Sequence, residues 1–239
     1  MTHVHLSGLT KSFGDRTVLD GVDFDVAQGE FVSVIGPSGS GKSTIFNVIA
    51  GLDTPDSGIV DAPTCAYMPQ KDLLFPWRSA LENTTLGLEV QGVDKKAARR
   101  RARELFPIFG LGGYENARPA EMSGGMRQRA ALLRTVVQGR EVLLLDEPFG
   151  ALDSLTRTSM QGWLQNVWLQ YQWTVLMITH DIREAVYLSD RVIVLSDKPT
   201  RVRRQVEVPL ARPRALDVVT SPEFAKVESE LMDVLISSY

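Results

Sequence analysis

The chain has 239 residues, with 26 Lys and Arg against 29 Asp and Glu for a formal charge of −3, and is 44% hydrophobic and 23% charged. This composition excludes a disordered chain, allows one large domain or two small ones, and gives no electrostatic footing for nucleic acid, which selects basic surfaces. There is no run of about 18 apolar residues and the opening MTHVHLSGLTKSFGD lacks an apolar leader, so neither a membrane span nor a signal peptide is expected. The single cysteine, Cys65, excludes an intrachain disulfide and is read as structural, in keeping with a reducing cytosol.

In chain order, residues 3–35 read as several strands with turns at Phe13-Gly14-Asp15 and Ala27-Gln28-Gly29, an antiparallel patch feeding a parallel sheet. The apolar run at 31–35 precedes a helix over 44–50, and residues 78 to about 138 read as an inserted helical subdomain whose clearest helix is 123–137. The runs 142–145, 174–178 and 192–195 lack alternation, the pattern of strands covered on both faces. Between the first two, residues 154–171 place Leu155, Met160, Trp163, Leu164 and Val167 at near-helical spacing. A last helix is capped by Ser221 with Pro222 in its first turn, and puts Phe224, Val227, Leu231 and Val234 on one side. Alternating strands and helices predict an α/β fold.

Two motifs carry chemistry. Gly36-Pro37-Ser38-Gly39-Ser40-Gly41-Lys42-Ser43 fits G-x-x-x-x-G-K-[ST] between a strand and a helix, the context of a phosphate-binding loop. Its glycines let backbone N–H groups turn toward phosphate oxygens, and the helix N-terminus adds a positive dipole end. Lys42 is expected to reach the β- and γ-phosphates, Ser43 to offer a hydroxyl to Mg²⁺, and Thr44 to lie near the α-phosphate. The second motif ends a buried strand in Asp146-Glu147-Pro148: Asp146 suits a Mg²⁺ held through water, and Glu147 suits a general base that polarises attacking water.

Between them stands Met122-Ser123-Gly124-Gly125-Met126-Arg127-Gln128-Arg129, and with it the chain resembles the ATP-binding cassette (ABC) transporter ATPases over nearly its whole length. The family's usual LSGGQ is here MSGGM, with the Ser-Gly-Gly core kept. The resemblance implies a P-loop NTPase fold: a mainly parallel core of residues 1–77 and 139–239 with an antiparallel patch, and a helical subdomain at 78–138. Ser123, Gly124 and Gly125, at a helix start, would close over the ATP held by a second subunit. Gln70 matches the glutamine loop that contacts Mg²⁺ or water, Asp153 the aspartate that crosses the dimer interface, and His180 the histidine that touches the γ-phosphate. Phe13 occupies the place of the aromatic that stacks on adenine, unless it is ordinary core.

Partners follow from the same resemblance. A homodimer is the simpler expectation, because every catalytic element is present, with a separate integral-membrane permease and, indirectly, an extracytoplasmic substrate-binding protein. The chain would sit peripherally on the cytoplasmic face of the membrane. The apolar stretch at 73–83 either receives a partner helix or forms a buried hinge. Its Phe75-Pro76-Trp77-Arg78 and Asn83, with the segments at 146–153 and 179–185, resemble the bacterial importers of nitrate, sulfonates, taurine and pyrimidine thiamine precursors. A soluble ABC ATPase of DNA repair or translation is the alternative, weakened by the single cassette and the lack of heptads and of a basic surplus. A P-loop kinase would leave Ser123, Gln70 and His180 without a role. His3 and His5, lacking a third ligand nearby, read as surface residues, and the basic run at 95–101 as a solvated helix face.

Overall fold

Two long strands, β1 (Thr2–Phe13) and β2 (Arg16–Ala27), form an antiparallel hairpin turning at Gly14, whose φ of 58° is open to glycine without strain. With β4 (Ser57–Asp61) on the other edge of β1 they make a three-stranded sheet. The structure is a computed structural model and describes residues 2–236.

The second sheet combines β3 (Phe31–Ile35), β5 (Ala66–Met68), β6 (Val142–Asp146), β7 (Thr174–Ile178), β8 (Arg191–Leu195) and β9 (Val202–Glu207) in the order β5-β6-β7-β3-β8-β9. The first five in that order run parallel, and β9 closes the edge antiparallel. Every residue of β3, β6 and β7 is buried, and the pleat sorts them by face. Phe31, Ile35, Leu143, Leu145, Val175 and Met177 join one apolar layer with the helices. Val32, Val34, Val142, Leu144, Leu176 and Ile178 join another with α1 (Lys42–Ile49) and the antiparallel sheet. Coverage of both faces is why these runs show no alternation in sequence.

Residues 78–138 hold α2 (Ala80–Thr84), α3 (Leu86–Val90), α4 (Lys95–Leu105) and α5 (Gly124–Val136). Their buried Leu88, Ala102, Phe106 and Phe109 are continuous with the helical layer of the parallel sheet. The basic run lies on α4, where Ala98 and Ala102 face inward and Lys95, Lys96, Arg100 and Arg101 are exposed. Then come α6 (Ser154–Tyr171), α7 (Ile182–Leu188) and α8 (Pro222–Ile236), the last burying Phe224, Val227 and Leu231 as predicted. The α/β architecture with an antiparallel patch and a helical region is therefore the one the chain forms.

Two strands go beyond the sequence reading, and one reading is corrected. β4 and β9 had no sequence signal, because both lie at sheet edges and are largely exposed, leaving no apolar pattern to see. His3 is not a plain surface residue: its side chain is mostly buried where the two sheets meet, with Nδ1 2.7 Å from Thr174 Oγ1 and Nε2 3.2 Å from Glu141. His5 instead stands 2.5 Å from Asp25.

Candidate functional site

In an open parallel sheet, ligands gather beyond the carboxyl ends of the strands. Here a cavity of about 640 Å³ lies there, lined by Ser38–Thr44 after β3, Gln70 after β5, Glu147 after β6, Ile178 and His180 at the end of β7, and Lys198 after β8. Loops from five neighbouring parallel strands thus converge on one space.

The loop after β3 owes its shape to glycine. Gly39 and Gly41 have φ of 74° and 91°, and a Cβ on Gly41 would stand 2.7 Å from Val18 Cγ1. Gly36 is crowded as well, its would-be Cβ falling 3.0 Å from Leu195 Cβ. Lys42 Nζ donates to the carbonyls of Gly36 and Pro37 at 2.9 and 2.8 Å, so the lysine lies along the loop. Burial lowers its ammonium pKa, an effect opposed by the charges of Glu147 and Asp146. Thr200 Oγ1 donates to the Ser40 carbonyl and so ties the loop to the chain beyond β8.

Asp146 ends β6 almost fully buried behind the cavity. Burial pushes its carboxyl pKa up, against hydrogen bonds from Ser43 and Tyr67 and the charge of Lys42, and Tyr67 donates to it at 3.2 Å. Glu147 follows in the left-handed region with φ 45°, its N–H donating to the Ile178 carbonyl at 2.9 Å. That turn swings its carboxylate outward, where Oε2 accepts from Gln70 Nε2 at 2.8 Å and lies 3.4 Å from His180 Nδ1. Base, glutamine and histidine candidates from three strands therefore share one oxygen.

The other predicted residues lie elsewhere. Ser123 and Gly124 are exposed at the N-terminus of α5, where Ser123 Oγ accepts from the Met126 N–H at 3.2 Å; Gly125 follows, partly buried. Gly124 lines a neighbouring cavity of about 540 Å³ that shares Gln70 and Glu147 with the first. Asp153 is exposed and caps α6, accepting from the Thr156 N–H at 3.0 Å, and these bonds lower its carboxyl pKa. Phe13 is 52% exposed, which rules out the core alternative; Lys11 Nζ stands 5.4 Å from its ring centre.

Sequence reasoning passed over Tyr67 and Lys198. Tyr67 lies three residues before Gln70, and its place one residue before the end of a parallel strand was the available signal. Lys198, a lone cation in a loop, offered none. The stretch at 73–83 divides between its two readings: Leu74 is buried while Leu73 and Trp77 are exposed, Trp77 by 68%. Buried Asn83 fixes this loop by accepting from the Phe75 N–H at 2.7 Å and donating to the carbonyls of Phe75, Arg78 and Ser79.

For a magnesium ion the donor chemistry fits: a buried carboxylate on Asp146, a hydroxyl on Ser43 and an amide on Gln70 are hard oxygen donors. Among the described residues no group of three or more His, Cys, Asp or Glu is placed to hold a metal, and magnesium bound with substrate phosphates needs only one or two carboxylates.

The family profile of ABC transporters matches residues 19–150. The formylaminopyrimidine import ATP-binding protein ThiZ of Halalkalibacterium halodurans is 47% identical over 80% of this chain and 78% of its own length. An aliphatic sulfonates import ATP-binding protein, SsuB 1 of Rhodococcus jostii, is 43% identical over 98% of this chain and 93% of its own. Among solved structures, the dimeric post-hydrolysis state of the ATP-binding cassette MJ0796 bound to ADP and Pi superposes with a TM-score of 0.75 at 31% identity, covering 87% of this chain and all of that one.

Proposed function

The chain belongs to the ABC transporter ATP-binding family and is an ATPase, and from that premise we propose that it is the motor subunit of an importer for small anionic or heterocyclic solutes of the sulfonate, nitrate or pyrimidine-precursor kind. The observation that carries the mechanism is the convergence of Ser38–Thr44, Glu147, Gln70 and His180 on one cavity, with Asp146 buried behind it, while Ser123 and Gly124 stay exposed beyond it. Two copies facing each other then complete two sites, each with the phosphate loop of one chain and the Ser123 segment of the other.

In this reading Lys42 leaves the loop carbonyls for the β- and γ-phosphates, and the loop N–H groups hold the remaining oxygens. Phe13, exposed at the hairpin tip, offers a face to adenine. Ser43, Asp146 and Gln70 would hold Mg²⁺, which supplies charge neutralisation to the phosphates. Glu147 takes the proton from an attacking water, Gln70 orients that water, and His180 donates toward the γ-phosphate. Asp153 meets the partner at the interface. ATP favours the closed dimer because its γ-phosphate touches both chains, and hydrolysis removes that contact.

Residues 78–138 form the lobe that carries the Ser123 segment, with 1–77 and 139–239 as the core. No described helix is long and apolar enough to cross a membrane. The exposed Leu73 and Trp77 on the loop after Gln70 are our candidate surface for a permease helix, and in this reading the chain sits at the cytoplasmic face of the membrane, served by a substrate-binding protein outside. The relatives named for sulfonate and formylaminopyrimidine import support this direction of transport over a role in DNA repair or translation. Glu147→Gln should lower turnover by on the order of 10² to 10⁴ while ATP binding and an ATP-held dimer persist, as read by phosphate release and light scattering. Wild-type turnover in that variant would remove Glu147 as the base. Co-purification of a membrane permease in detergent tests the importer reading, and recovery of a ribosome or DNA instead would refute it.

A further inference from the structure

The loop that carries His180 is held by a carboxylate with no part in the site described so far. Glu184, in the first turn of α7, is only 5% exposed. Its Oε2 accepts a hydrogen bond from Thr179 Oγ1, and its Oε1 accepts from Gln161 Nε2 of α6 at 3.4 Å. Thr179 Oγ1 in turn accepts from the Asp181 N–H at 3.0 Å. Asp181 Oδ1 caps α7 by accepting from the N–H groups of Arg183 and Glu184 at 2.9 and 3.2 Å. The residues immediately before and after His180 are thereby closed into one ring of hydrogen bonds through Glu184. The His180 side chain is itself 61% exposed, so packing does little to fix it and its backbone must do so.

The surroundings of Glu184 make its burial costly. Asp181 adds a like charge, and Arg157 of α6 compensates from 3.7 Å away on the other Asp181 oxygen while donating to the Leu152 carbonyl at 3.0 Å. Arg183 and Tyr187 of α7 border the same cavity of about 330 Å³, to which the C-terminal segment contributes Leu216 and Val219. Burial pushes the Glu184 carboxyl up to about 7. An apolar residue would avoid that cost but would leave the Thr179 hydroxyl without its acceptor.

We propose that Glu184 is a positioning residue for hydrolysis: through Thr179 it fixes the loop from which His180 addresses the γ-phosphate. This rests on the role given above to His180. Because the chain has three histidines, the imidazole resonances can be resolved and His180 assigned with His180→Ala. Glu184→Ala should displace the His180 resonance and leave those of His3 and His5 in place. Glu184→Gln should restore it, its amide oxygen accepting from Thr179 and its NH₂ donating to Gln161. In hydrolysis, Glu184→Ala should lower kcat about 10- to 100-fold with KM for ATP within about twofold, Glu184→Gln should recover most of the loss, and in a His180→Ala background Glu184→Ala should cost less than about twofold more. Thr179→Val, which removes only the hydroxyl bridge, gives the same reading if the alanine variant folds poorly. An unmoved His180 resonance, or an equal loss with and without His180, overturns the proposal. Should the wild-type chain fail to hydrolyse ATP, the assignment of the site fails, while the resonance comparison still decides whether Glu184 holds the His180 loop.

Discussion

Glu147 is a non-glycine residue at positive φ, a conformation that costs on the order of 1–3 kcal/mol and persists only where neighbours enforce it. Here they do: its N–H extends the ladder to Ile178, and its carbonyl accepts from the Gly150 N–H at 3.1 Å. The result is a carboxylate turned away from the sheet and toward Gln70 and His180. Gly41 shows the opposite solution to a backbone demand, with no side chain at all. Gly41→Ala should lower stability by about 1–3 kcal/mol, from a φ of 91° and the contact with Val18, and weaken ATP binding with it. Thermal melting and nucleotide titration check this, and an unchanged melting temperature would contradict it. These residues were legible in the sequence because phosphate chemistry imposes a local pattern, the glycines, Lys42 and Ser43 all falling within one short segment.

At the scale of elements, the strands act as a rack that delivers one loop each to a common edge, and α7 braces the loop of β7 from behind. Glu184 makes that brace sensitive to pH. Its folded-state pKa of about 7 lies above the ordinary 4.5, so the folded chain holds the proton more tightly than the unfolded one. Its contribution to stability is therefore complete below about 4.5 and is lost as pH rises through about 7, a change of roughly 3 kcal/mol. Relative to Glu184→Gln, the wild-type chain should lose stability across that window, as measured by denaturant unfolding at pH 4.5, 6 and 8; parallel curves for the two would contradict the burial of this carboxylate. None of this was visible in sequence, because the ring joins Gln161 to Glu184 across two helices, just as Tyr67 meets Asp146 from 79 residues away. Arg214 is similar: buried, it donates to the carbonyls of Val186, Tyr187 and Ser189 and so fastens the C-terminal segment to the end of α7. Motifs declare themselves locally, whereas the side chains that orient them are chosen by packing.

For the whole molecule, the ordinary, faintly acidic composition suits the proposed motor subunit, which leaves solute specificity to its partners. In the proposed dimer, the exposed Ser123 and Gly124, lying apart from the phosphate loop, complete the partner's site. Mixing two inactive variants tests that arrangement most directly. Ser123→Arg spoils what a chain offers its partner, and Glu147→Gln spoils its own cavity, so neither homodimer retains a working site. In the mixed dimer one site is intact, and with half of the dimers mixed the ATPase rate should return to about a quarter of wild type. A mixture no more active than the two variants measured separately would show that each chain works alone, and would contradict a site shared between two copies.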